Sequence, residues 1–164
     1  MDTYNHKAYG LELTQTLVLF QPKGAESFHE ATNSDTLYSI DQKLSSINHS
    51  CLVAIDGSDS DYADNQSDAL IEKPQYFFMF LTPAPADDSA AIIAAQRLCK
   101  ANAEQVIFKM MAESEKHEKG LTGLLVETMS VRSIGPIGDN LFGVILPFNL
   151  ERGITHKKDP TFWV

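Results

Sequence analysis

Two apolar runs and the linker between them decide the fold: Leu124-Leu-Val-Glu-Thr-Met-Ser-Val131, then Ile134-Gly-Pro-Ile-Gly-Asp-Asn140, then Leu141-Phe-Gly-Val-Ile-Leu-Pro-Phe-Asn-Leu150. Both runs read as strands, rich in β-branched and aromatic residues. The linker holds Gly135, Pro136, Gly138, Asp139 and Asn140, residue types that turns use for special backbone angles. The glycines are free to take positive φ, and Pro136 fixes its own φ while restricting Gly135. The expected structure is a shaped hairpin, and its turn residues are structural.

Working outward, Tyr76-Phe-Phe-Met-Phe-Leu-Thr82 is the most apolar strand candidate and belongs in the middle of a sheet. A helix is expected from about Asp87 to His117, with acids at its start and Lys116, His117 and Lys119 at its end. Ile92, Ala95, Cys99, Ala103, Val106 and Met110 form one stripe of it, widened by Leu98 and Ile107. Its many alanines, Ala94 and Ala101 among them, suit close packing against a sheet.

Upstream, residues 11–20 read as a strand, with a short helix as the competing reading, and 21–34 as a loop. Asn33 or Ser34 then caps a short amphipathic helix marked by Leu37, Ile40, Leu44 and Ile47. Cys51 to Ile55 is a short strand. From Asp56 to Asp68 the chain is acidic and without periodicity, which reads as a surface loop. Residues 1–150 are expected to form a single α+β domain, with a mobile acidic loop at about 56–73. In it a mainly antiparallel sheet packs against one long helix and one shorter amphipathic helix. Residues 151–164 read as a C-terminal tail outside regular structure.

At 164 residues the chain is long enough to bury roughly 70% of its unfolded surface. Its 22 acids against 13 bases give a formal charge of −9, which opposes binding to phosphate backbones and anionic lipid surfaces. No run of apolar residues is long enough for a membrane span, and Met1 to Lys7 precede no signal-peptide core. The two cysteines, Cys51 and Cys99, read as small core residues in a reducing compartment.

Candidate chemistry is sparse. Asp56, Asp59, Asp61 and Asp64 gather oxygen donors in one segment, but the calcium-loop pattern fails. Counted from Asp59, position six is Asp64 where glycine is needed and position twelve is Leu70 where glutamate is needed. None of the five histidines has a partner at metal-ligand spacing. There is no nucleophile elbow, P-loop or dinucleotide fingerprint. No catalytic residue, cofactor or metal is therefore assigned. Phe162-Trp163-Val164 is a terminal aromatic cluster with two readings: docking on its own core, or docking on a neighbour. Asp59, Asp61, Asp64, Phe162, Trp163 and Val164 are the candidate contact residues.

The element order, with Pro74–Thr82, the helix 87–117 and Ser133–Leu150, resembles small tail-terminator, tail-completion and neck proteins of tailed bacteriophages, prophages and phage-tail-like particles. The resemblance covers roughly residues 70–150. It implies a non-enzymatic virion protein, made in the bacterial host cytoplasm, that forms rings, commonly hexameric. The partners so implied are other copies and tail-tube, sheath or neck and portal proteins, with DNA only as passing cargo and no membrane. Two alternatives stay open: a bacterial adaptor using the acidic loop and the tail, and a small enzyme with a dispersed site.

Overall fold

In the computed structural model, residues 3–32, 37–56, 59–64, 66, 69–155 and 160–162 are described. Among them, three helices and eight strands give the expected α+β class with a mainly antiparallel sheet. The strands are β1 (Phe28–Thr32), β2 (Cys51–Asp56), β3 (Ser60–Asp64), β4 (Ala69–Pro83), β5 (Leu124–Leu125), β6 (Arg132–Ile137), β7 (Leu141–Leu150) and β8 (Arg152–Thr155). The helices are α1 (His6–Thr16), α2 (Leu37–Leu44) and α3 (Ser89–Glu115).

β4 is the axis. Its second half lies between β2 and β7, and its first half between β3 and β8. β1 extends the sheet beyond β2 as the one parallel pair among the described residues, while β5 and β6 share the far side of β7. Tyr76, Phe78 and Phe80 point to the face covered by α1 and α3, where they meet Phe148, Tyr9, Leu13, Val106 and Met110. Met79 and Leu81 point the other way, against Ile40 and Leu44 of α2. A strand covered on both faces loses its polar positions, which is why this segment reads as one apolar run. Each such buried ring is worth about 1.5–3 kcal/mol.

α3 begins where its cap dictates: the Asp88 carboxylate accepts the Ala90 and Ala91 N–H groups, each at 3.0 Å. Its buried stripe runs through Ala95, Cys99, Ala103, Val106 and Met110 as expected, but Leu98 lies outside it and is exposed. Past Glu115 the chain turns back through left-handed His117, Lys119 and Gly120.

Several expectations are corrected. Residues 11–20 are the end of α1 followed by a 3-10 turn, not a strand. The buried face of α1 is His6, Tyr9, Gly10, Leu13 and Thr14, a helical spacing hidden because only Leu13 is aliphatic. Gly10 lets α1 lie close, since a Cβ there would stand 2.6 Å from the Phe28 ring. The loop expected over 21–34 contains β1, and the acidic segment is not a loop throughout, because Ser60–Asp64 is a strand paired with β4. Arg152–Thr155 likewise leaves the expected tail to join β4. Leu124–Val131 is not one strand: only Leu124–Leu125 pairs, and a 3-10 turn follows. The expected caps Asn33 and Ser34 lie outside the described residues.

Polar joints tie the helices down. The Tyr9 hydroxyl donates to Glu113 Oε2 at 2.5 Å. Lys109 pairs with Glu113 and, at 3.2 Å, with Glu12, which also meets Lys119 at 2.7 Å. These contacts clamp the end of α3 to α1.

The turn before β7 is a second joint. Gly138 holds φ +60°, and a Cβ on it would stand 2.8 Å from the Leu44 carbonyl oxygen. Gly138→Val is expected to cost about 1–3 kcal/mol, read as a lower thermal midpoint at unchanged far-UV circular dichroism; an unshifted midpoint would refute the strain.

Candidate functional site

The turn residues come together as structure. The linker's first half is strand β6, with a register shift between Ile134 and Ile137. Pro136 is tolerated there because a bulge on an outer strand asks no ladder hydrogen bond of it. Gly135 takes φ +124° and precedes a cis bond to Pro136. The Gly138 N–H donates to Asp41 Oδ1 at 2.6 Å, and the Asn140 carbonyl accepts the Ala84 N–H at 2.9 Å. Asp139 is exposed on the turn. The arrangement fastens the hairpin to α2 and to the segment just after β4, and it presents no reactive group.

Asp59, Asp61 and Asp64 sit on a three-stranded arm made of β3, β8 and the first half of β4. Asp61 and Asp64 are exposed; Asp61 registers opposite Lys73, and Asp64 caps the Gln66 N–H at 2.8 Å. The arm is pinned by Glu72, which is buried. Its carboxylate accepts from Ser60 Oγ at 2.9 Å, from Tyr62 at 3.4 Å and from the Arg152 guanidinium. Arg152, followed by Ser60, holds the Glu72 carboxyl below its ordinary range. Among the described residues no three His, Cys, Asp or Glu side chains converge on a metal-sized point.

Phe162 lies in a 3-10 turn and is 83% exposed, so it does not dock on its own core. Trp163 and Val164 lie outside the described residues.

Two groups of buried titratable residues were not anticipated. At the start of α1, the Tyr4 hydroxyl donates to His6 Nδ1 at 2.9 Å. His6 Nε2–H then donates to the Phe77 carbonyl at 3.0 Å, while the ring stacks on Phe78 at 4.3 Å. Both ring nitrogens are satisfied with the imidazole neutral. Burial lowers His6 to about 4 and raises Tyr4 well above its ordinary value. Hollows of about 380 and 470 Å³ flank this pair, lined by Tyr4, Tyr76 and either Arg152 or His6. A base near 4 beside a phenol pushed upward is mismatched to proton transfer near neutral pH. The pair is a latch that seats α1 on the sheet.

On the α2 side, the Nε2 atoms of His29 and His49 are buried with no hydrogen-bond partner among the described residues. The two rings are near enough that charge on His49 adds to burial in lowering His29.

The outer face of α3 is the feature the spacing argument missed. Ala94, Leu98, Ala101, Gln105, Phe108 and Ala112 are all exposed, Leu98 at 50% and Phe108 at 61%. The helix is thus apolar on its inner stripe and again on this outer seam. The signal was present in the same residues: alanines assigned to sheet packing recur at a second helical phase.

Two outcomes test the polar joints. Glu72→Gln is expected to speed amide exchange in β3 and β8 by about tenfold or more, through loss of a charged hydrogen bond, with β7 unaffected; uniform exchange would refute the local pin. For His6, the unfolded value is 6.5 and the folded value about 4. Between them the unfolded chain alone holds the proton, so stability falls as pH drops, by on the order of 3 kcal/mol in all. Denaturant titrations of His6→Phe should lose most of that slope, leaving the smaller share from His29. An unchanged slope would place the titration elsewhere.

Comparison with protein-family models, curated proteins and solved structures returns no match to this chain, so the reading of its role rests on the geometry above.

Proposed function

We propose that this chain is a non-enzymatic structural subunit that assembles with copies of itself and with neighbouring proteins, of the tail-terminator, tail-completion or neck kind. The observation that carries the reading is the outer seam of α3, where Leu98 and Phe108 stand exposed on a helix already packed by its other face. Exposed large apolar side chains in a regular row mark contact surfaces on soluble proteins. The acidic arm supplies a second surface, with Tyr62 58% exposed between Asp61 and Asp64. The perturbed groups point the same way, because each of Glu72, His6 and Tyr9 is engaged in holding two elements together.

A ring of copies would need one patch to meet a different patch on the next subunit. The acidic arm and the exposed Phe162 turn are two such different patches. The −9 charge suits a lumen wall over which DNA slides without adhering.

Electron microscopy of the pure chain should show closed oligomers, and mass spectrometry of tail particles from the host carrying the gene should find it as a component. A chain that stays monomeric and is absent from such particles overturns the reading. Phe162→Ala should weaken incorporation while moving stability by less than about 0.5 kcal/mol, as for an exposed site.

A further inference from the structure

The seam on α3 has a period as well as an exposure. From Ala94 the exposed positions advance by alternating steps of four and three: Leu98, Ala101, Gln105, Phe108, Ala112. That alternation is the spacing by which one helix meshes its side chains between those of another. Nothing among the described residues of this chain covers the seam, and alanine at three of the six positions lets a second backbone come close.

We propose that α3 pairs along this seam with α3 of a second copy, in antiparallel orientation and centred at the level of Ala103. This deepens, and rests on, the reading of the chain as an assembly subunit. About that centre Ala94 faces the other copy's Ala112, Ala101 faces Gln105, and the two large side chains, Leu98 and Phe108, face each other twice. Large apolar meets large apolar, the end alanines meet each other, and the longer Gln105 lies over the small Ala101.

Charge selects the orientation. One flank of the seam carries Arg97 and Lys100 in its first half, with Glu104 and Glu115 in its second, all exposed. Antiparallel pairing sets the basic half against the acidic half of the other copy. Parallel pairing would instead face this flank with the opposite one, whose first half offers Arg97 and Lys100 only Ala91 and Asn102 and no carboxylate. Within one chain Lys100 meets Glu104 at only 3.9 Å across exposed side chains, a contact worth little and easily exchanged. Asp87 and Asp88 do not cancel the basic half. Arg97 lies roughly 13 Å along the axis from the Asp88 cap, and that carboxylate is taken up by two backbone N–H groups.

One helix face about 27 Å long buries less than the roughly 1,200 Å² of a standard interface, so the pair is reversible and concentration-dependent. Being two-fold, it closes after two copies. A ring would then be built from pairs through a separate head-to-tail contact.

Sedimentation velocity of the full chain from about 1 µM to about 1 mM should show reversible dimers. Leu98→Glu and Phe108→Glu should each raise the dimer dissociation constant at least about tenfold, with thermal midpoints unchanged because both sites are exposed. Orientation is read by cross-linking. The double variant Ala94→Cys/Ala112→Cys should form covalent dimers on mild oxidation. Each single variant should not, since equivalent residues would stand about 27 Å apart, far beyond the roughly 7 Å a disulfide spans. Cross-linking of the single variants, a wild type monomeric throughout, or oligomers indifferent to both glutamate substitutions would each overturn the pairing. The last result leaves the assembly reading intact, and that reading falls separately if the chain is missing from particles.

Discussion

Packing on both faces of β4 is the constraint to which the rest of the structure answers. A strand between two layers has no solvent side, so consecutive residues from Tyr76 to Leu81 must all find apolar neighbours. One set calls α1 and α3 onto one face, and the other calls α2 onto the opposite face. The sheet order follows, because β2 and β7 must flank β4 to complete both layers. Where β4 leaves the two layers, near Pro74, it exchanges those neighbours for β3 and β8. There the apolar drive fades and a buried carboxylate takes over.

That division explains where three of the perturbed ionisable groups are. They lie at joints that hydrophobic packing does not close alone: Glu72 across the arm, Tyr9 between α1 and α3, His6 at the seat of α1. In enzymes such groups converge on an open cleft with values tuned toward neutrality. Here these three lie apart from one another, each hydrogen-bonded within the protein and shifted away from neutrality.

How legible this was depended on how strongly each segment declared a period. The long helix, the central strand and the 51–55 strand were readable because apolar spacing, the Asp88 cap and the boundary residues agree. α1 was not, because a buried face of histidine, tyrosine, glycine and threonine carries almost no aliphatic signal. β3 and β8 are polar strands whose pairing is dictated by β4 and pinned by Glu72 and Arg152, so no local property marks them. Pro136 made a strand resemble a turn, since a bulge absorbs what a regular ladder would reject. Asp59, Asp61, Asp64 and Phe162 are exposed, and the exposed seam of α3 was overlooked because its alanines were credited to the sheet.

The continuity of β4 has a mechanical consequence. One covalent backbone runs from the tip of the arm to the centre of the core, without a loop between them. A pull on the arm is therefore carried as tension along peptide bonds, and reaches Phe78 and Phe80 directly. Two neighbouring strands would have to slide past every ladder hydrogen bond together before the arm could yield, so the arm behaves as a stiff handle on the body it extends.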